Sequence, residues 1–187
     1  MYVQVVRFSI VSGVTAGHVQ MRTKFSDNAV TLKNSKGETK KVNDVVVSFE
    51  AARPENVSYN FALGVANNYA IVGRVASGEQ RANEYGDDYT TEQYKLANLS
   101  EAELQELTVA AIQRSHDKGT SGFYNTLKPN CTTEIFDTID EMDSLKDKVG
   151  RDFKPFLTEI SPDPVAGPTI QALKDREIFG GRQADLK

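Results

Sequence analysis

Apolar and polar positions alternate along most of the first half of the chain. Tyr2 to Val11, "YVQVVRFSIV", predicts a first strand carrying Val3, Val5 and Phe8, with Gln4 and Arg7 interrupting the apolar run. "GVTAG" makes a loop. "HVQMRTKF" predicts a second strand with Val19, Met21, Thr23 and Phe25 on one face and His18, Gln20, Arg22 and Lys24 on the other. "AVTLKN" and "DVVVSFEA" predict two more, parted by a Ser35-Lys36-Gly37 turn. "NYAIVGRVA" is a further strand, and "DYTTEQYKLA" is expected to be the last of the set.

The period then changes. "LSEAEL" carries a capping box, with Ser100 as N-cap, Glu103 three positions on, and Leu99 and Leu104 as a hydrophobic staple. This helix is expected to reach about Asp117, with Leu104, Leu107, Ala111 and Ile112 inward and Gly119 as its C-terminal cap. A second helix is expected from about Cys131 to Lys148, with Ile135, Ile139, Met142 and Leu145 as its apolar stripe. "SPDPVAGP" punctuates the chain as a linker. "TIQALKDREIF" predicts one short docking helix before a loose end. The division read from this is an α+β domain over residues 1–158 and a proline-rich C-terminal tail with a short helix over 159–187. Within the domain, an antiparallel sheet from the N-terminal half packs against helices from the C-terminal half.

Composition narrows the function. The chain has 187 residues, 39% hydrophobic and 26% charged, enough for a core without disulfide or metal staples. Its net charge of −4 and the absence of a Lys/Arg stripe with interleaved aromatics argue against nucleic acid as a partner. The densest basic stretch, "KGETKK", reads as a hairpin turn with solvated charges. No apolar stretch reaches the roughly 18 residues of a membrane helix, and the N-terminus lacks a signal-peptide pattern. No HExxH, paired CxxC, GxxxxGK[ST] or GxGxxG occurs, so neither a metal nor a nucleotide cofactor is expected.

The single cysteine, Cys131, excludes an intramolecular disulfide. It follows Asn130, a good N-cap residue, and so falls in the first turn of the second helix. Unpaired N–H groups and the helix dipole favour a thiolate there, and Glu134 one turn on opposes it modestly. A thiolate nucleophile needs a basic partner, and the chain has two histidines. His18 begins a strand after a glycine, on a polar face. His116 ends a helix, where an imidazole suits the dipole without any catalytic role. The alternative for Cys131 is a small buried structural thiol.

"GHVQMR", "VVVSFEA", "NYAIVGRV", "YKLANLSEAELQEL" and "FYNTLKPNCTTEIFDTID" occur in the order of the DUF4105 family, the N-terminal domain type of Lnb lipoprotein N-acyltransferases. The resemblance spans about Val11 to Leu145 and rests on the Gly-His strand, the Leu-Ser-x-x-Glu helix start and the Asn-Cys-Thr-Thr helix start. The histidine-before-cysteine order is similar to circularly permuted papain-like folds, the NlpC/P60 and lecithin:retinol acyltransferase-like group. The resemblance implies Cys131 as nucleophile, His18 as general base and a bacterial envelope setting.

Where relatives place a second histidine this chain has none. Glu50 is the better physical candidate to orient the imidazole, with Ser48 the other. Tyr124 is a candidate pocket or oxyanion donor, Arg22 a candidate for a substrate carboxylate or phosphate, and Asn130 a substrate contact beside its capping role. The expected reaction is acyl transfer through a thioester, on a peptide, amide or acyl-lipid substrate. The alternative is a catalytically inactive binding module on the same fold. Hydrogen-bond reach between His18 and Cys131 in an open groove discriminates for the enzyme, and a Cys131 without accessible surface discriminates against it.

Overall fold

The alternating segments form strands because β-branched and aromatic residues at every second position give each a side to bury. The computed structural model describes residues 1–11, 14–27, 29–53, 59–86, 89–119, 122–145, 159–161 and 168–186. Strands β1 (Tyr2–Val11) and β2 (Val14–Lys24) pair antiparallel, with Val5 opposite Val19. β3 (Val30–Lys33) and β4 (Thr39–Val42) form a separate two-stranded hairpin. β5 (Asp44–Ala52), β6 (Tyr69–Ala76), β7 (Thr90–Leu96), β8 (Gly122–Tyr124), β9 (Glu159–Ser161) and β10 (Phe179–Leu186) complete the main sheet. Its order is β10-β7-β1-β2-β5-β6-β8, all antiparallel, and β9 pairs with β2 outside that path.

One face of the sheet is apolar. Val3, Val5, Val19, Met21, Val45, Val47, Phe49 and Ile71 form a core with Leu107 and Ala111 of α3 (Glu101–Lys118), Ile135 and Ile139 of α4 (Cys131–Asp140) and Leu173 of α5 (Pro168–Asp175). The opposite face is polar. Gln4, Gln20, Arg22, Asp44, Ser48 and Glu50 lie on it, partly covered by α2 (Gly78–Tyr85). The short α1 (Phe61–Val65) leans on the loop before α4, through Asn125 Nδ2 donating to Val65 O at 3.0 Å and Thr126 N to Gly64 O at 3.3 Å.

Several expectations are corrected. The Ser35-Lys36-Gly37 turn closes β3 onto β4, not onto "DVVVSFEA", because Thr39–Val42 intervenes as a strand of its own. The sheet does not come only from the N-terminal half: β8, β9 and β10 follow α3, and α1 and α2 precede it. α4 ends at Asp140, since Asp140, Glu141 and Asp143 put negative charge at a helix C-terminus. Met142 and Leu145 remain buried through a 3₁₀ turn over Asp143–Leu145. Ile112 is exposed, and Thr108 and Ser115 take the inward positions instead. The segment after α5 is not loose: it is β10, paired with β7. The helix start at Ser100 is as expected, with both hydrogen bonds of the capping box present. Residues 146–148 of the expected second helix and most of "SPDPVAGP" lie outside the described residues.

Candidate active site

α4 begins where it does because Asn130 caps it. Its Oδ1 accepts from the N–H groups of Thr132 at 2.9 Å and Thr133 at 3.0 Å, while Thr133 Oγ1 accepts from the Asn130 N–H. Its Nδ2 donates to Thr126 O and Leu127 O. Asn130, expected also as a substrate contact, is thus fully buried with its side-chain polar atoms hydrogen-bonded inside the protein. This cap fixes Cys131 as the first helical residue, whose backbone N–H has no intrahelical acceptor.

Cys131 meets His18 at a split in the sheet. β2 pairs with β5 from Lys24 back to Gln20, and with β9 from Gly17 to Thr15. His18 and Val19 fall between the two ladders on that edge. The Val19 backbone hydrogen-bonds to Cys131, and so does the His18 imidazole. The Tyr124 hydroxyl donates to Sγ at 3.7 Å. Burial pushes the thiol pKa up, yet the charge of His18, these hydrogen bonds from His18 and Val19, and the Tyr124 hydroxyl outweigh it, and the thiol is held below its ordinary value. Cys131 is only 1% exposed. The His18 side chain keeps 15% of its surface.

Glu50 completes the cluster. Its Oε1 lies 3.8 Å from His18 Nε2, beyond hydrogen-bond length, and Nε2 is buried without a hydrogen-bond partner. Ser48 Oγ donates to the same Oε1 at 2.9 Å, so Ser48 holds the carboxylate and not the imidazole. Burial raises the Glu50 pKa, but His18, Arg81 and Arg74 together bring it below the ordinary carboxylate value. Arg81 NH2 approaches Oε1 to 2.6 Å and Arg74 NH1 approaches Oε2 to 3.3 Å.

Arg22, expected as a candidate for a substrate carboxylate or phosphate, is paired with Asp44 and donates to Gln93 Oε1 at 3.1 Å. It lines a small, half-open cleft between α2 and the sheet. Gln4, Gln20, Arg81, Tyr85 and Tyr89 share that lining. His116 stays exposed in the last turn of α3.

Sequence reasoning missed Arg74, Arg81 and Tyr85, and with them α2. A signal for the helix existed. Ser77 with Gln80 is an Ser-x-x-Gln start, and the Ser77 side chain does accept from Gln80 N. Tyr59 was also missed. It stacks on Tyr69 at 5.3 Å, meets Tyr124 edge-on at 6.2 Å and hydrogen-bonds with Thr126. No group of three or more His, Cys, Asp or Glu side chains able to hold a metal occurs among the described residues.

The strand bearing His18, the capped helix bearing Cys131 and the strand bearing Glu50 all fall within residues 3–165, which match the family model described as the Lnb N-terminal periplasmic domain. The chain belongs to that family. The Lnb-type match is wider than the motifs that suggested it and takes in nearly all of the main sheet except β10. Neither curated proteins nor solved structures give a match to the chain. No helix among the described residues is long and apolar enough to cross a membrane.

Proposed function

We propose that this Lnb-type domain is a cysteine-dependent acyl-transfer enzyme of permuted papain-like design, acting in the bacterial envelope through a thioester on Cys131. One observation carries the reading. His18, the Val19 backbone and the Tyr124 hydroxyl converge on a thiol at a helix start, an arrangement that favours the thiolate where burial alone would disfavour it.

In this reading the thiolate attacks a carbonyl carbon of a peptide, amide or acyl-lipid substrate. A C–S bond forms and the carbonyl electron pair moves to oxygen, for which the Cys131 N–H and the Tyr124 hydroxyl are candidate donors. The tetrahedral species collapses, the C–N or C–O bond breaks, and His18 gives its proton to the leaving group. A second nucleophile then loses a proton to His18 and attacks the thioester, releasing the thiolate. Water makes the enzyme a hydrolase, and an amine or hydroxyl makes it an acyltransferase. Glu50 orients and stabilises the imidazolium once the two close from 3.8 Å to hydrogen-bond length.

A second reading, a non-catalytic binding module, is favoured by the 1% exposure of Cys131. Two measurements separate them: thiolate ultraviolet absorbance against pH, corrected with Cys131→Ser, and the rate of iodoacetamide labelling. The enzyme reading expects a thiolate well below the free-thiol value of about 8.5, labelled in the folded protein, with both properties lost in His18→Ala. Titration near about 8.5, or a folded protein that resists labelling, selects the binding module.

A further inference from the structure

We propose that Arg81 of α2 is a positioning residue for this site, fixing the Glu50 carboxylate so that its charge serves His18 without opposing the thiolate. The proposal rests on the thiolate–imidazolium reading above and adds a residue to it.

The geometry around Glu50 has one shared atom. Oε1 receives Ser48 Oγ at 2.9 Å and Arg81 NH2 at 2.6 Å, and lies 3.8 Å from His18 Nε2. Oε2 faces Arg74 NH1 at 3.3 Å. Ser48 comes from β5 itself, His18 from β2, Arg74 from β6, and Arg81, Glu84 and Tyr85 from α2. Glu84 divides its carboxylate between Arg74 NH2 and Arg81 NH1, each at 2.7 Å. Two cations therefore face two carboxylates beside one imidazole, and that imidazole also hydrogen-bonds to the Cys131 thiol.

Arg81 is held more firmly than a surface ion pair requires. It is 4% exposed. It hydrogen-bonds to the Tyr85 hydroxyl, and its guanidinium lies 4.6 Å from the centre of the Tyr85 ring. The Tyr85 hydroxyl in turn donates to Gln20 Oε1 at 2.9 Å. Gln20 Nε2 donates to Gln4 Oε1 at 2.8 Å. The guanidinium is thereby tied to β2, two residues from His18 on the same polar face.

The physical consequence follows from charge. An uncompensated Glu50 would stabilise imidazolium, but its field would also disfavour the thiolate beyond it. It would also be held only by Ser48 and by Arg74 at the longer 3.3 Å, with a quarter of its surface open to solvent. Arg81 acts on both points. With Ser48 it sets the direction of Oε1, and its positive charge opposes the negative field of Glu50 at Sγ.

The test is the thiolate absorbance titration in wild type, His18→Ala, Arg81→Gln, Arg81→Lys and Arg74→Gln, each corrected with its own Cys131→Ser partner. Arg81→Gln is expected to move the Cys131 midpoint up by about half a pH unit or more, and Arg81→Lys to hold it near wild type. A merely structural arginine would lower stability in both variants and leave the midpoint in place. If Arg81→Gln does not fold, Arg74→Gln carries the same test, since it removes the more exposed cation, with a smaller upward shift expected. A midpoint unmoved in every folded arginine variant, while His18→Ala still moves it, overturns the role of Arg81 and leaves the Cys–His pair standing. A midpoint unmoved in His18→Ala as well overturns both.

Discussion

At the scale of single residues, the site is decided by which of several opposing charges lies nearest. Glu50 illustrates it. Burial alone would favour its neutral form, but His18, Arg81 and Arg74 hold its folded pKa below the ordinary 4.5. Its ionised form therefore stabilises the folded state above about pH 4.5, and that contribution is lost as pH falls through the lower folded value. Glu50→Gln is expected to lose roughly 1–2 kcal/mol at neutral pH, because it leaves Arg81 short of a counter-charge. The gap to wild type should close on acidification. Urea midpoints at about pH 7 and about pH 3 check this, and a gap that stays constant would remove Glu50 from the ion-pair cluster. Cys131 follows the same sign: its lowered pKa adds stability above the ordinary thiol value and loses it as pH falls through the folded one. His18→Ala should abolish that dependence along with fast labelling.

At the scale of elements, the fold places the site by letting β2 change partners. The ladder to β5 stops at Gln20, and the ladder to β9 begins at Gly17, so the backbone at His18 and Val19 is open to the start of α4. α3 buttresses this arrangement from the apolar side. It approaches β6 so closely that a Cβ on Gly73 would collide with the Ser115 backbone oxygen. Backbone cannot give way as a flexible side chain can. Gly73→Ala is expected to cost roughly 1–3 kcal/mol by pushing α3 off the sheet, read from urea or thermal unfolding. The starts of α3 and α4 were legible in sequence because capping is local: Ser100 with Glu103, and Asn130 with the two threonines, need no distant partner. α2 was passed over because its residues, "GEQRANEY", carry little apolar surface, and its anchors are the charged and polar groups of another element. β4, β8 and β9 are three or four residues long, too short for alternation to declare itself.

At the scale of the whole molecule, the C-terminal segment closes the structure. α5 packs Ala172 and Leu173 into the core, and β10 pairs with β7 at the sheet edge farthest from β8. Arg176 is fully buried. It makes a two-pronged pair with Asp140, both bonds 2.7 Å, over the Phe136 ring. This ties the segment to the C-terminal end of α4, the helix that presents Cys131 at its other end. Leu173→Ala is expected to cost about 2–4 kcal/mol, a core-residue loss, against nearly nothing for a detached tail. Urea unfolding decides between them. The proline punctuation of "SPDPVAGP" pointed to a linker, and no local signal in "TIQALKDREIFGGRQADL" shows that β7 waits for a partner.

The sequence by itself determined what depends on near neighbours along the chain. It placed alternation in β1, β2, β5, β6 and β7, the caps of two helices, Cys131 at a helix start, and His18 on the polar face of its strand. The motifs carrying these features also pointed to the Lnb-type family that the match over residues 3–165 shows. Only the tertiary structure decided that β2 splits between β5 and β9, that Cys131 meets His18 in that gap, and that Glu50 is shared by Ser48, Arg81 and Arg74. The reason is physical. Propensity, capping and periodicity act over a few residues, whereas pairing register and the charge around a buried group are sums over residues distant in sequence.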